Sequence, residues 1–289
     1  MTEITLSRTV TTAAPFLTRR TGLAWALAIT ALLIVGVNLG AWLLSDQALA
    51  TDSGARLLPP SVQHLFGTDA LGRDMFTRVV KGLSLSMQVG LATTLLSTLI
   101  SAVLGMAAAL APRWFDNTIS WLIDLFIGIP HLIFMILIAF AVGGGVPGII
   151  LGIATTHWMA LALLIRTDTK QLRDADFVKV SRSLGRSPLF IATRHLLPLA
   201  LPQLMVGFVL MFPHVVLHEA ALTFLGFGFS AQTPAIGILL SEGMPHILSG
   251  KWWLAVFPGL ALLGTVLCFA WLGNAVRNRL DSKLSGGAL

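Results

Sequence analysis

The chain has 289 residues, 55% of them hydrophobic and 11% charged, with a mean hydropathy of +0.84. Soluble domains carry about 25% charged residues, so this composition excludes an ordinary soluble protein and points to a polytopic membrane protein. The net charge of +6 does not call for a nucleic-acid partner, because Lys and Arg collect between apolar runs, where membrane topology accounts for them.

A helix crossing the hydrocarbon core needs about 20 predominantly apolar residues at a rise of about 1.5 Å each. Six segments meet that test: Gly22 to Leu44, Gly82 to Pro112, Thr118 to Gly143, Pro147 to Leu164, Leu199 to Gly228 and Trp253 to Gly273. Their apolar runs are continuous and do not alternate, which predicts helices and not barrel strands. The fold class is therefore an all-α polytopic membrane protein with six transmembrane helices. Residues 1–21 read as a cytoplasmic tail without a persuasive cleavage site, 22–44 as the first transmembrane helix, 45–81 as an extracytoplasmic segment, 82–280 as a five-helix core and 281–289 as a second cytoplasmic tail. Arg8, Arg19 and Arg20, Arg113, the loop 165–198, and Arg277, Arg279 and Lys283 all fall on one side of this arrangement. The basic excess marks that side as cytoplasmic, with both termini on it. Cys268 is the single cysteine and lies in the sixth span, so no intrachain disulfide can form.

Within the basic loop, two amphipathic stretches, Asp176 to Leu184 and Pro188 to Leu197, flank Gly185. Glycine is the residue that most readily ends a helix in the left-handed conformation, so a helix, a turn and a second helix are predicted. Pro198 then restricts the chain just before the fifth span. A solvated basic loop lying at the lipid headgroups is the other reading of the same residues.

Polar groups inside spans are costly and face a partner or a water-filled path. Asp124, His131, His157, His214, His218 and Glu219 are the candidates for such a translocation path. His214 and His218 are spaced i, i+4, so they share a helix face and are candidate metal ligands; interhelical hydrogen bonding is the competing reading. Asp69 and Asp74 could be read as cation ligands, but with Arg73 and Arg78 beside them ion pairs and helix caps fit better. A metalloprotease is excluded by residue type, since His214 to His218 reads His-Val-Val-Leu-His without the general-base Glu. A secondary transporter would be expected to show two inverted halves, which the sequence does not. No phosphate-binding loop is present, so ATP would have to be handled by other chains.

The order Lys179, Val180, Ser181, then Gly185, Ile191, Leu197 and Pro198 resembles the coupling motif of binding-protein-dependent ABC importer permeases, which begins Glu-Ala-Ala; here Lys179 replaces the acidic residue. The run from Phe66 to Arg78, with Gly67, Thr68, Asp69, Gly72, Arg73 and Asp74, resembles the signature of the dipeptide, oligopeptide and nickel class of these permeases. Phe224-Leu225-Gly226-Phe227-Gly228 and Phe257-Pro258-Gly259-Leu260 extend the match over residues 60–284, with Ile236, Asn274 and Asn278 as departures. The His157-Trp158 pair and the His-x-x-x-His before Phe224 are similar to the nickel-type second permease.

The resemblance implies an inner-membrane permease of type I architecture, pairing with a second homologous permease, two ATP-binding subunits and an extracytoplasmic solute-binding protein. It implies no enzyme activity and no cofactor in this chain, ATP and Mg being used by the partners. The cargo it implies is nickel or a metal chelate, or alternatively a dipeptide or oligopeptide. Lys179, Ser181, Leu184, Gly185, Ile191 and Pro198 would form the contact with the ATPase.

Overall fold

The computed structural model describes residues 16–230 and 232–286; the predicted tail residues 1–15 and 287–289 lie outside them. Helix α1 spans Phe16–Leu43, α2 Met75–Leu110, α3 Arg113–Gly128, α4 His131–Ala141, α5 Gly145–Arg173, α6 Asp176–Ser183, α7 Pro188–Ile191, α8 Leu197–Phe224, α9 Ile236–Gly243 and α10 Trp253–Gly286. Among the described residues there is no strand, only one isolated bridge between Thr68 and Asp74. Helices α1 and α10 reach into the stretches read as tails, starting at Phe16 and ending at Gly286.

Five helical segments are single rods long and apolar enough to cross a membrane, and a sixth crossing exists if the bent pair α3–α4 counts as one. This corrects the continuous third span expected over Thr118 to Gly143. The two helices meet at 104° because Pro130 has no amide hydrogen to donate and pushes Ile129 into extended backbone, at φ −95° and ψ 135°. The second span also begins earlier than Gly82. Asp74 caps α2, its carboxylate accepting from the Thr77 amide at 2.9 Å, so the helix starts at Met75.

A further correction concerns Pro198. It does not separate the loop from the fifth span, since the helix runs unbroken from Pro188 to Phe224. A π-turn over Ala192–Leu196 lets the Leu197 amide reach the Ala192 carbonyl, and this local shift in bonding accommodates Pro198, which has no amide hydrogen to donate.

Helix α2, about 54 Å long at 36 residues, is the axis of the molecule. Its glycines, serines and threonines let α5 and α8 approach closely. The Ser101 hydroxyl donates to the Trp158 carbonyl of α5 at 2.8 Å. At Gly105 a β-carbon would stand 2.7 Å from the Ala162 carbonyl oxygen and 3.1 Å from Ile165. Gly105→Val should therefore push α5 outward at a cost of about 1–3 kcal/mol, visible as a lower unfolding temperature of the purified permease in detergent.

The two ends of α2 carry different machinery. At the Met75 end, the loop 52–74 packs against α9 and the start of α10, the Trp253 indole donating to the Thr68 carbonyl at 3.3 Å. At the Leu110 end, Leu110 and Leu172 pack on Val178, Ile191 and Leu196 of the predicted coupling loop.

Candidate functional site

Three imidazoles from three helices converge inside the bundle. His131 is the first residue of α4, directly after the Pro130 break; His157 is in α5 and His218 in α8. Their ring centroids are 4.7 Å (131 to 157), 5.3 Å (131 to 218) and 5.0 Å (157 to 218) apart, with rings inclined by 61 to 69°. One nitrogen from each lies within 4.8 Å of the others. Packing sets this geometry: Phe126 meets Phe134 and Trp158 edge-on across the elbow, and Met135 and Ala139 of α4 are fully buried, Met135 with Ile149 and Ile153 of α5.

The His157 ring nitrogen Nδ1 lies 3.0 Å from the Ile153 carbonyl. A carbonyl can only accept, so Nδ1 carries the hydrogen and Nε2 keeps its lone pair. Neither His131 nor His218 makes a hydrogen bond to another described residue, and each touches the other two rings.

Helical spacing pairs His214 with His218, and the set that converges is a different one. His218 belongs to the cluster, but His214 is exposed and stands outside it. The i, i+4 rule places two residues on one face of one helix, and it says nothing about groups arriving from other helices. His131 was visible as an intramembrane polar residue, yet its place in the set depends on the break at Pro130. Glu219 is fully buried on another side of α8, its Oε1 accepting from the Thr223 hydroxyl at 3.1 Å. Asp124 is exposed on α3.

The signature loop is an ion network. Asp69 Oδ2 accepts from Arg73 Nε and from Arg78 Nη1, each at 2.6 Å, and Arg78 Nη1 also reaches Glu242 of α9 at 2.6 Å. Arg73 contacts the same Glu242 at 3.3 Å. Asp74 caps α2 and meets His64 Nδ1 at 3.1 Å. Gly67 and Gly72 take positive φ, and the Thr68 hydroxyl accepts from the Leu58 amide at 2.8 Å and donates to the Ala55 carbonyl. The carboxylates of the motif are thus engaged in holding the loop and are not free for a cation, while Arg78 Nη2 is buried without a hydrogen-bond partner among the described residues. A cavity of about 220 Å³ opens between this network and α9, bounded also by Leu239, Leu254 and His246.

At the other end, Gly185 turns the chain at φ 76° between α6 and α7. Val178 and Ser181 face inward, Ser181 Oγ lying 3.1 Å from His195 Nε2, while Ile191 fills the core beneath. Phe177, Val180, Leu184 and Leu189 point outward, the two leucines each 73% exposed. Lys179 is exposed and pairs with Asp176 at 3.3 Å. Pro198 is exposed in the first turn of α8. Nearby, Asp116 of α3 bridges Arg166 and Lys170 of α5, a brace that no local sequence pattern indicates.

Residues 101–282 match the family described as the binding-protein-dependent transport system inner membrane component. Among similar proteins, the dipeptide transport system permease protein DppC of Bacillus subtilis is 34% identical, the match covering 78% of this chain and 71% of that one. The nickel transport system permease protein NikC of Escherichia coli K12 is 33% identical over 93% of this chain and 97% of its own. The glutathione transport system permease protein GsiD of Escherichia coli is 33% identical over 78% and 75%. A family match over most of the chain, with relatives of this identity aligned over most of their own length, places the fold and the broad role together: the chain belongs to the family of membrane permease components of binding-protein-dependent transport systems.

Proposed function

We propose that this permease forms, with a second homologous permease, the path by which nickel or a metal chelate enters the cell, driven by two ATP-binding subunits and fed by an extracytoplasmic solute-binding protein. The observation that carries the metal reading is the convergence of His131, His157 and His218, three borderline-soft donors brought together from separate helices. Imidazole suits nickel, copper and zinc, whereas peptide recognition has no need of three such rings at one point.

In this reading the Leu110 end of α2 is cytoplasmic, as the Lys and Arg around it favour. The apolar knob of Phe177, Val180, Leu184 and Leu189 meets the ATPase, and closure of the ATPases on ATP rocks α5 and α8, which flank the knob in the chain. Both termini then lie in the cytoplasm. Asp124, His214 and Glu219 fall outside the cluster and are not needed as ligands in it.

Dipeptide or oligopeptide import is the second reading, favoured by the names of relatives such as the dipeptide and glutathione permeases, which are as similar as the nickel one. Uptake by cells expressing the complete transporter separates the two. Radioactive nickel, offered with and without chelators, should enter in an ATP-dependent manner, and a labelled dipeptide should not. Uptake of the peptide alone would retire the metal reading.

A further inference from the structure

The structure assigns a second property to the histidine cluster, resting on the metal reading for its physiological occupant: we infer that His131, His157 and His218 close around a borderline divalent cation as three neutral ligands, and that the bound cation staples the α3–α4 elbow to α5 and α8.

Two nitrogens bound to one cation at about 2.0–2.1 Å stand about 3.3 Å apart at the tetrahedral angle. The three nitrogens already lie within 4.8 Å of one another, so the rings need only close inward by about 1.5 Å at most. All three rings are partly exposed, and His131 and His218 are held by no hydrogen bond to a described residue, so rotation about their side-chain bonds is available. His157 is different. Its Nδ1 is fixed on the Ile153 carbonyl at 3.0 Å, the arrangement by which a backbone acceptor orients a ligating imidazole and leaves Nε2 for the metal.

Charge and coordination number then limit how tightly the site can hold. No carboxylate joins the set, since Glu219 is turned to Thr223 and Asp124 is exposed elsewhere. Three neutral donors leave a divalent charge uncompensated and at least one coordination position open. Such a site captures a cation without burying it for good, which suits a path and not a store.

The linkage to conformation follows from where the third ligand sits. His157 and His218 belong to long rods that continue toward α6 and α7, whereas His131 is attached to the bend itself, one residue beyond Pro130. Any opening of the 104° elbow carries His131 away from the other two and removes one ligand in three. Occupancy therefore favours the closed elbow, and the closed elbow favours occupancy, as reciprocity between a ligand and a conformation requires.

The test uses the full chain without a histidine tag, purified with the permease and ATPase chains that accompany it and placed in lipid nanodiscs. Cobalt(II) is the probe, because its visible absorption reports imidazole coordination, and nickel(II) is titrated in competition. Wild-type protein should show cobalt bands that nickel displaces, and nickel should raise its unfolding temperature. His131→Ala, His157→Ala and His218→Ala should each weaken cobalt binding at least about tenfold and abolish the nickel-dependent rise. His214→Ala, one turn away on α8, should keep both. A His131→Ala protein that binds cobalt as well as wild type overturns the site, as does a wild type with no displaceable bands. Cobalt bound at the cluster in a transporter that takes up no metal in cells supports the site while sinking the metal-cargo reading. Nickel uptake that survives all three substitutions, with no binding at the cluster, overturns the site and leaves the cargo reading standing.

Discussion

Asp69→Leu should destabilise the permease by up to about 3–5 kcal/mol, the cost of breaking a buried ion pair, because it leaves the buried Arg78 with only the more exposed Glu242 as a counter-charge. Arg78 is 2% exposed and Asp69 6%, and one Asp69 oxygen accepts from both Arg78 and Arg73 at 2.6 Å. Glu242 also contacts both arginines, but at 36% exposed it sits at the mouth of the network and cannot alone neutralise the buried Arg78 together with the partly exposed Arg73. The expected result is a large fall in the unfolding temperature of the purified protein, or its absence from the membrane fraction. Glu242→Gln should cost less, since an acceptor remains and the group keeps contact with water. The double variant Asp69→Leu with Arg78→Leu separates a buried pair from mere packing: removing both charges should recover part of the loss. If the double variant is no more stable than Asp69→Leu, the network is not what holds the signature loop.

The contrast between local and distant partners explains how much of the molecule could be read before its structure. The apolar runs located five of the spans, because a run of about 20 apolar residues has few alternatives to a membrane helix, although the helices extend past the apolar limits to Met75, Arg173 and Pro188. The third span failed at Ile129-Pro130, where hydropathy continues unbroken but the backbone cannot. Pro198 misled in the opposite direction. A proline ahead of an apolar run marks a boundary by local rules, whereas a π-turn upstream carries the helix past it.

The sites divide along the same line. Asp74 as a cap and Asp69 beside Arg73 are relations within a few residues, and both were visible in the spacing. Glu242 is 164 residues from Arg78, and nothing in either neighbourhood announces the other. The histidine cluster combines both cases. Each imidazole stood out as a polar group in an apolar run, but which of them meet is decided by packing between α4, α5 and α8. Helical periodicity offers His214 with His218, the one pairing a single helix can display, whereas the rings that tertiary structure brings to His218 are those of His131 and His157.

Gly185→Trp should abolish uptake while leaving the permease folded and in the membrane. Gly185 adopts φ 76°, and a β-carbon built on it meets nothing within 4 Å. Within the chain the substitution therefore costs only the left-handed strain of a non-glycine residue, about 1–2 kcal/mol. The indole would project from the turn between Leu184 and Leu189, the exposed leucines of the knob, and obstruct whatever surface receives them. Gly185→Ala is the matched control, carrying the same backbone strain without the bulk; it should retain most of the uptake. Lys179→Glu should be tolerated as well, because Lys179 is exposed and its pair with Asp176 is a surface contact worth about 1 kcal/mol or less. ATP hydrolysis by the complex, measured beside uptake, distinguishes a lost partner from a lost linkage. Hydrolysis persisting without uptake in the Trp variant marks a knob that transmits motion, and normal uptake by that variant would remove the knob from the coupling mechanism altogether.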